Sequence, residues 1–139
     1  MSNQHPIKIF KNYTYIFSNQ HRIRQNNNKS IWQVNQNEEF DSFTLMCNEN
    51  WIIDNVKGWS VHRVNSRNEF LGINTRNEEV KIAKFLDSAN NFQWHGYPID
   101  YRFSVNDKPN AKILKQWVKD EIITKTQMRR ILQGQGCEI

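Results

Sequence analysis

Nine consecutive residues, Trp94-His95-Gly96-Tyr97-Pro98-Ile99-Asp100-Tyr101-Arg102, bring together an imidazole, two phenols, a carboxylate and a guanidinium. The imidazole of His95 changes charge near neutral pH and can act as a general acid or base. Asp100 can orient that ring or pair with Arg102, and Arg102 can hold a phosphate or carboxylate through two parallel hydrogen bonds. With His95, Asp100 and Arg102 in catalytic roles, the segment would serve a small hydrolase or phosphotransfer enzyme. With Trp94, Tyr97 and Tyr101 as contacts, it would be the binding surface of a protein–protein module: an accessory, inhibitor or neutralising subunit. A structural reading fits the same residues. Gly96 and Pro98 would build a tight turn, with a cis Tyr97–Pro98 bond as one form of it, while the aromatics fill the core and His95 bonds a backbone carbonyl.

The second pattern is basic. At 100° per residue, Lys108, Lys112, Lys115 and Lys119 fall on one side of a helix, and Ile113, Leu114, Trp117 and Val118 occupy the opposite arc. Lys125, Arg129 and Arg130 follow on a second short helix and would add phosphate contacts. A basic helical hairpin of this kind suits an anionic partner, most simply RNA or DNA, and that is the leading functional expectation. A solvated helix face has the same appearance. Tyr13, Tyr15 and Trp32 could stack on bases if exposed, but each is expected in the core.

Other chemistries find little in the chain. His5, His21, His62 and His95 are scattered and no close Cys/Cys or Cys/His pair exists, so no metal site is expected. Asp54 with Glu79-Val80-Lys81 has the composition of a Mg²⁺-dependent nuclease centre, but such a triplet belongs on a strand, and here the spacing predicts a helix. Cys137 lacks a neighbour that would activate it, and Cys47 alternates with Phe43 and Leu45 like a core residue. Five dispersed glycines make no phosphate-binding loop, and no cofactor is expected.

The elements that must position these residues belong to a chain of 139 residues, sized for one domain spanning 1–139 with tails at 1–5 and 134–139 expected to fray. Hydrophobic residues make up only 37%, but aromatics reach 12% and supply the large surfaces a core needs. No apolar run approaches the roughly 20 residues of a membrane span. Two cysteines and no recognisable signal peptide make a reducing cytoplasm the default compartment. The formal charge of +5 is unevenly spread: residues 1–37 and 101–139 are basic, and residues 38–100 are acidic. Nineteen asparagines stand where Lys and Glu usually fill a surface, a compositional bias without chemical content.

Alternation predicts strands at Tyr13–Phe17, Phe43–Cys47, Ile31–Val34 and Trp51–Ile53, and a hairpin joining Trp59–Val64 to Glu69–Ile73 across Asn65-Ser66-Arg67-Asn68. Gln25–Ser30 reads as a loop. Thr75-Arg76-Asn77-Glu78 has capping-box spacing and predicts a helix over 78–90, with Ile82, Phe85, Leu86 and Ala89 on one stripe. A helix from Asp107 to about Glu121 and another opened by a capping box at Thr124-Lys125-Thr126-Gln127 and ended by Gly134 complete the chain. The expectation is an α+β fold: an N-terminal antiparallel sheet of hairpins followed by about three helices on one face, the last two forming a helical hairpin.

Overall fold

The computed structural model describes residues 6–22 and 29–139. The fold is α+β. The expected loop at 25–30 falls largely outside the described residues, as do residues 1–5. Strands β1 (Ile7–Phe10), β2 (Tyr13–Ile16), β4 (Ile52–Ile53), β5 (Lys57–Val64), β9 (Ile82–Leu86) and β10 (Gln93–Ile99) form one sheet in the order β1-β2-β10-β9-β5-β4, and β6 (Arg67–Glu69) pairs with β5. A second sheet joins β3 (Ile31–Trp32), β7 (Gly72–Ile73) and β8 (Glu79–Val80). The large sheet is mixed rather than purely antiparallel, because β2 runs parallel to β10 through Gln93↔Thr14 and Trp94↔Tyr15.

Helices α1 (Gln36–Glu49), α2 (Ala111–Lys119) and α3 (Lys125–Leu132) are three in number among the described residues, but the first lies early in the chain. Phe43–Cys47, expected as a strand, belongs to α1. Its buried residues Glu39, Ser42, Phe43 and Met46 repeat at helical spacing, and Asn35 and Glu38 close a reciprocal capping box. The expected helix over 78–90 is instead β8 and β9. Thr75 does not cap a helix; the Asn74 side chain accepts from the backbone N–H groups of Arg76 and Glu78 and turns the chain between β7 and β8. The chain reverses after 59–64 as expected, but the turn is only Asn65-Ser66, both at positive φ, and the partner strand is β6 with Val64 opposite Arg67. Gly72–Ile73, expected in that partner strand, pairs with β3 and β8 in the second sheet instead.

Register assigns the two faces of the large sheet. Gly58, Phe85 and Gly96 lie directly opposite one another and face α1, where Phe85 and Phe43 have ring centroids 5.6 Å apart. A Cβ at Gly58 would run into Met46 of α1 and the Trp51 carbonyl, so helix and sheet approach there at a distance only glycine allows, and one at Gly96 would run into the Phe85 ring of the neighbouring strand. Trp59, Lys84 and Tyr97 form the next row and point the other way, toward Asn106 and Asp107 ahead of α2. Glu39 is a carboxylate inside the aromatic core. The Tyr15 hydroxyl and the Arg22 guanidinium both donate to it, which compensates its lost hydration.

Candidate functional site

Trp94–Arg102, expected as a loop or short strand between helices, begins as the interior strand β10, and its side chains therefore part by alternation. Trp94 is 0% exposed, packed against Phe43 at 5.8 Å, and is no surface contact for a partner. His95 and Tyr97 point to the opposite face, half-buried. Pro98 is tolerated because β2 pairs only with Gln93 and Trp94, leaving no ladder on that side at Pro98. No cis peptide bond occurs among the described residues, so the strand runs through Tyr97–Pro98 without a turn.

The structure separates His95 from its two expected helpers. Asp100 lies beyond the strand end. It accepts from Arg102 Nε at 2.9 Å and Nη2 at 2.7 Å and from Asn74 Nδ2 at 2.9 Å. Burial alone would raise the Asp100 carboxyl, but these donors bring it below the usual aspartate value. Arg102 also reaches Glu78 at 3.3 Å, so the guanidinium expected to hold a phosphate is occupied by two carboxylates of its own chain. Burial lowers the affinity of His95 for a proton, opposed by the charge of Asp87. The imidazole that bonds a backbone carbonyl is that of His21, which meets Ser30 O at 2.9 Å. His21 stacks on Tyr97 with centroids 5.1 Å apart at 18°, and the Tyr97 hydroxyl donates to Asp107. Tyr101 turns to the C-terminal segment, donating to Gln135 O at 2.8 Å. Within the expected tail 134–139, Gly136 O accepts from Arg130 of α3 and Ile139 O from Lys81, just ahead of β9.

Two hollows flank this corner. One of about 600 Å³ lies between Lys81, Tyr101 and the segment Gly136–Ile139. The other, about 410 Å³, has Tyr97 and His21 in its wall, with Thr75, Phe103 and Ser104 also lining it. Phe103 is 50% exposed and has the Arg76 and Arg102 guanidinium carbons 4.1 and 4.7 Å from its ring centroid. This stack leaves no local signal in the sequence because the two arginines come from different segments, although Arg102 and Phe103 are neighbours.

The basic hairpin forms as a unit. α2 starts at Ala111, a few residues into the expected span, because Asn110 rather than Asp107 accepts from the Lys112 N–H; Pro109 stands just outside the helix. Ile113, Leu114 and Trp117 are buried on its inner side, with Trp117 edge-on to Trp51 at 5.6 Å. Thr124 and Gln127 complete a capping box for α3, and Gly134 at φ 73° follows its end. The helices are tied at the open end by Lys108 Nζ donating to Leu132 O at 2.8 Å. Lys112, Lys115, Lys119, Lys125, Arg129 and Arg130 are all exposed. None of the six has a carboxylate partner among the described residues. Residues 108–132 hold seven bases against two acids, a net charge equal to the +5 of the whole chain.

Glu79-Val80 is on a strand after all, but the β5–β9 register sets Leu86 opposite Lys57 and Ile82 opposite Val61. Asp54, just before Lys57, is therefore at the far end of that ladder from Glu79 and Lys81. No group of three or more potential metal ligands occurs among the described residues. Burial pushes the Cys47 thiol up to about 12, which leaves no thiolate nucleophile at neutral pH. Tyr15 and Trp32 are buried. No helix among the described residues is long and apolar enough to cross a membrane. No family model matches the chain, and no curated protein or solved structure matches it significantly.

Proposed function

We propose that the protein binds an anionic polymer, RNA or DNA, through the exposed cationic face of the α2–α3 hairpin. The observation that carries this reading is the clustering of cations on two adjacent helices, where residues 108–132 hold seven bases against two acids. Elsewhere among the described residues Arg22, Lys81, Lys84 and Arg102 each meet a carboxylate within 4 Å, and the cations that do not, such as Lys11, Lys57 and Arg67, are dispersed over the sheets. The six exposed cations of the hairpin meet none among the described residues, so their charge is projected into solvent, where a phosphate backbone can replace condensed counterions. The apolar inner faces fix the two helices together and keep the cations facing outward. An enzyme centred on His95 draws less support, because the carboxylate expected to orient the ring is committed to Arg102 and Asn74.

Titrating labelled 20-nucleotide single strands and duplexes between about 50 and 200 mM salt tests the reading. Binding through the hairpin gives a linear fall of log affinity with log salt, with a slope of about 0.7 per phosphate contact for single strands and about 0.9 for duplex DNA. Absence of binding to both polymers at the lowest salt would refute it.

A further inference from the structure

Phe103 is large, apolar and half-exposed, and its ring is not alone. Arg76 and Arg102 stack on its ring. Arg102 is locked in place by Asp100, whereas Arg76 is exposed and has no carboxylate partner among the described residues. This arrangement adjoins the hairpin: Arg130 of α3 donates to Gly136 O, and a Cβ at Gly136 would lie 3.5 Å from the Arg102 side chain, whose own charge is met by Asp100 and Glu78. The path from Arg130 through Arg102 to Phe103 and Arg76 is thus continuous in space. It ends at the mouth of the 410 Å³ hollow, whose wall includes the stacked pair His21 and Tyr97. Thr75 and Ser104 line the same hollow, and their hydroxyls have no hydrogen-bond partner among the described residues.

From this we infer that Phe103, with Arg76, is a base-stacking platform and that the protein prefers single-stranded over duplex nucleic acid, one unstacked base lying on Phe103 with its edge directed to the hollow. The inference rests on the reading of the hairpin as a phosphate-binding face and adds to it what kind of strand is bound. Planar rings and guanidinium planes are what unpaired bases stack on, and every base has a π-face, so the platform is tolerant of sequence. A duplex hides those faces in its own stack and gains nothing from Phe103. Free hydroxyls at the mouth supply donors and acceptors to a base edge, and the unpaired Arg76 supplies charge for the flanking phosphate.

The experiment uses the full chain with Phe103→Ala and Phe103→Trp, a fluorescein-labelled 20-nucleotide single strand of mixed sequence, and the duplex formed with its complement. Wild type should bind the single strand more tightly than the duplex. Phe103→Ala should weaken single-strand binding by roughly 5- to 150-fold, the loss of one stacked base, with the salt slope unchanged and duplex binding unaltered. Phe103→Trp should restore or improve single-strand binding. Unfolding midpoints within a degree or two of wild type would show that the fold is intact, as the half-exposed position leads one to expect. Equal loss on both polymers, or no loss on either while Lys112→Gln/Lys115→Gln/Lys119→Gln weakens both, would overturn the platform and leave the hairpin reading standing. Failure of wild type to bind either polymer would overturn both.

Discussion

Replacing Asp100 by Asn distinguishes a carboxylate that holds Arg102 and Asn74 in place from one that serves His95. The carboxylate accepts from Arg102 Nε, Arg102 Nη2, the Arg102 backbone N–H and Asn74 Nδ2, at 2.7 to 3.1 Å. An amide keeps one oxygen and sets N–H against N–H on the other side. Hydrogen bonds to charged groups contribute about 1.5–3 kcal/mol, and because the Arg102 side chain is 32% exposed water can replace part of what is lost, so the cost should sit near the lower end, about 1.5 kcal/mol. In a chain of this size that is a fall of about 5 °C in Tm. The cost must also depend on pH. The folded-state value of Asp100 is depressed, so its stabilisation is present above the unfolded value of about 3.9 and is lost as pH falls through the folded value. Urea unfolding of both proteins from pH 7 to pH 2.5 should therefore show a gap that is full at pH 7 and closes below about pH 4. A gap constant with pH, or none at pH 7, would rule out this role for Asp100. Nucleic-acid binding by Asp100→Asn should be at least as tight as by wild type, because a negative charge beside the platform is gone; a loss of function at unchanged stability would instead point back to His95.

Two further outcomes follow from particular residues. Thr124→Ala should cost about 1 kcal/mol by urea unfolding, because the hydroxyl caps α3, while Thr75→Ala should lie within about 0.5 kcal/mol of wild type because Asn74 makes that turn. Burial lowers the proton affinity of both His21 and His95, opposed at the first by the hydrogen bond to the Ser30 backbone, with Lys29 adding to the lowering there, and opposed at the second by the charge of Asp87. Both rings hold a proton less readily in the fold than in the unfolded chain, so stability should be level above about pH 6.5 and decline as pH falls below it, and His21→Gln with His95→Gln should flatten that decline in unfolding measured between pH 7.5 and 5.

The fold class, strand β5 with the reversal after it, and the α2–α3 hairpin are legible in the sequence because each carries a local signal: turn-forming residues after an apolar run, or an apolar arc opposite a charged one. The partner strand of β5 reads as 69–73 because Arg67 and Asn68, which pair with β5, have the composition of a turn. The departures also have local causes. Two of the four buried positions of α1 are polar, Glu39 and Ser42, so its stripe is hidden, and the alternation of Phe43, Leu45 and Cys47 reads as a strand. In β9, Ile82, Ala83, Lys84 and Phe85 are all buried, since an interior strand is covered on both faces; period two vanishes, and Ile82, Phe85 and Leu86 fall by chance at helical spacing. The segment Trp94–Arg102 stands out by its composition, but whether Asp100 faces His95 or Arg102 depends on where β10 ends. Arg76 and Phe103 meet across a long stretch of chain, and nothing local announces such a contact.

The hairpin's role as a phosphate-binding face is tested most sharply by the salt dependence of nucleic-acid binding by Lys112→Gln/Lys115→Gln/Lys119→Gln beside wild type, measured by fluorescence anisotropy with single-stranded and duplex probes. The three lysines are exposed and have no carboxylate partner among the described residues, so the variant should unfold like wild type. If each contacts a phosphate, the slope of log affinity against log salt should flatten by about 2 for single strands and up to about 2.7 for duplex DNA, with weaker binding to both at low salt. An unchanged slope and affinity in a folded variant would remove the hairpin from the interface.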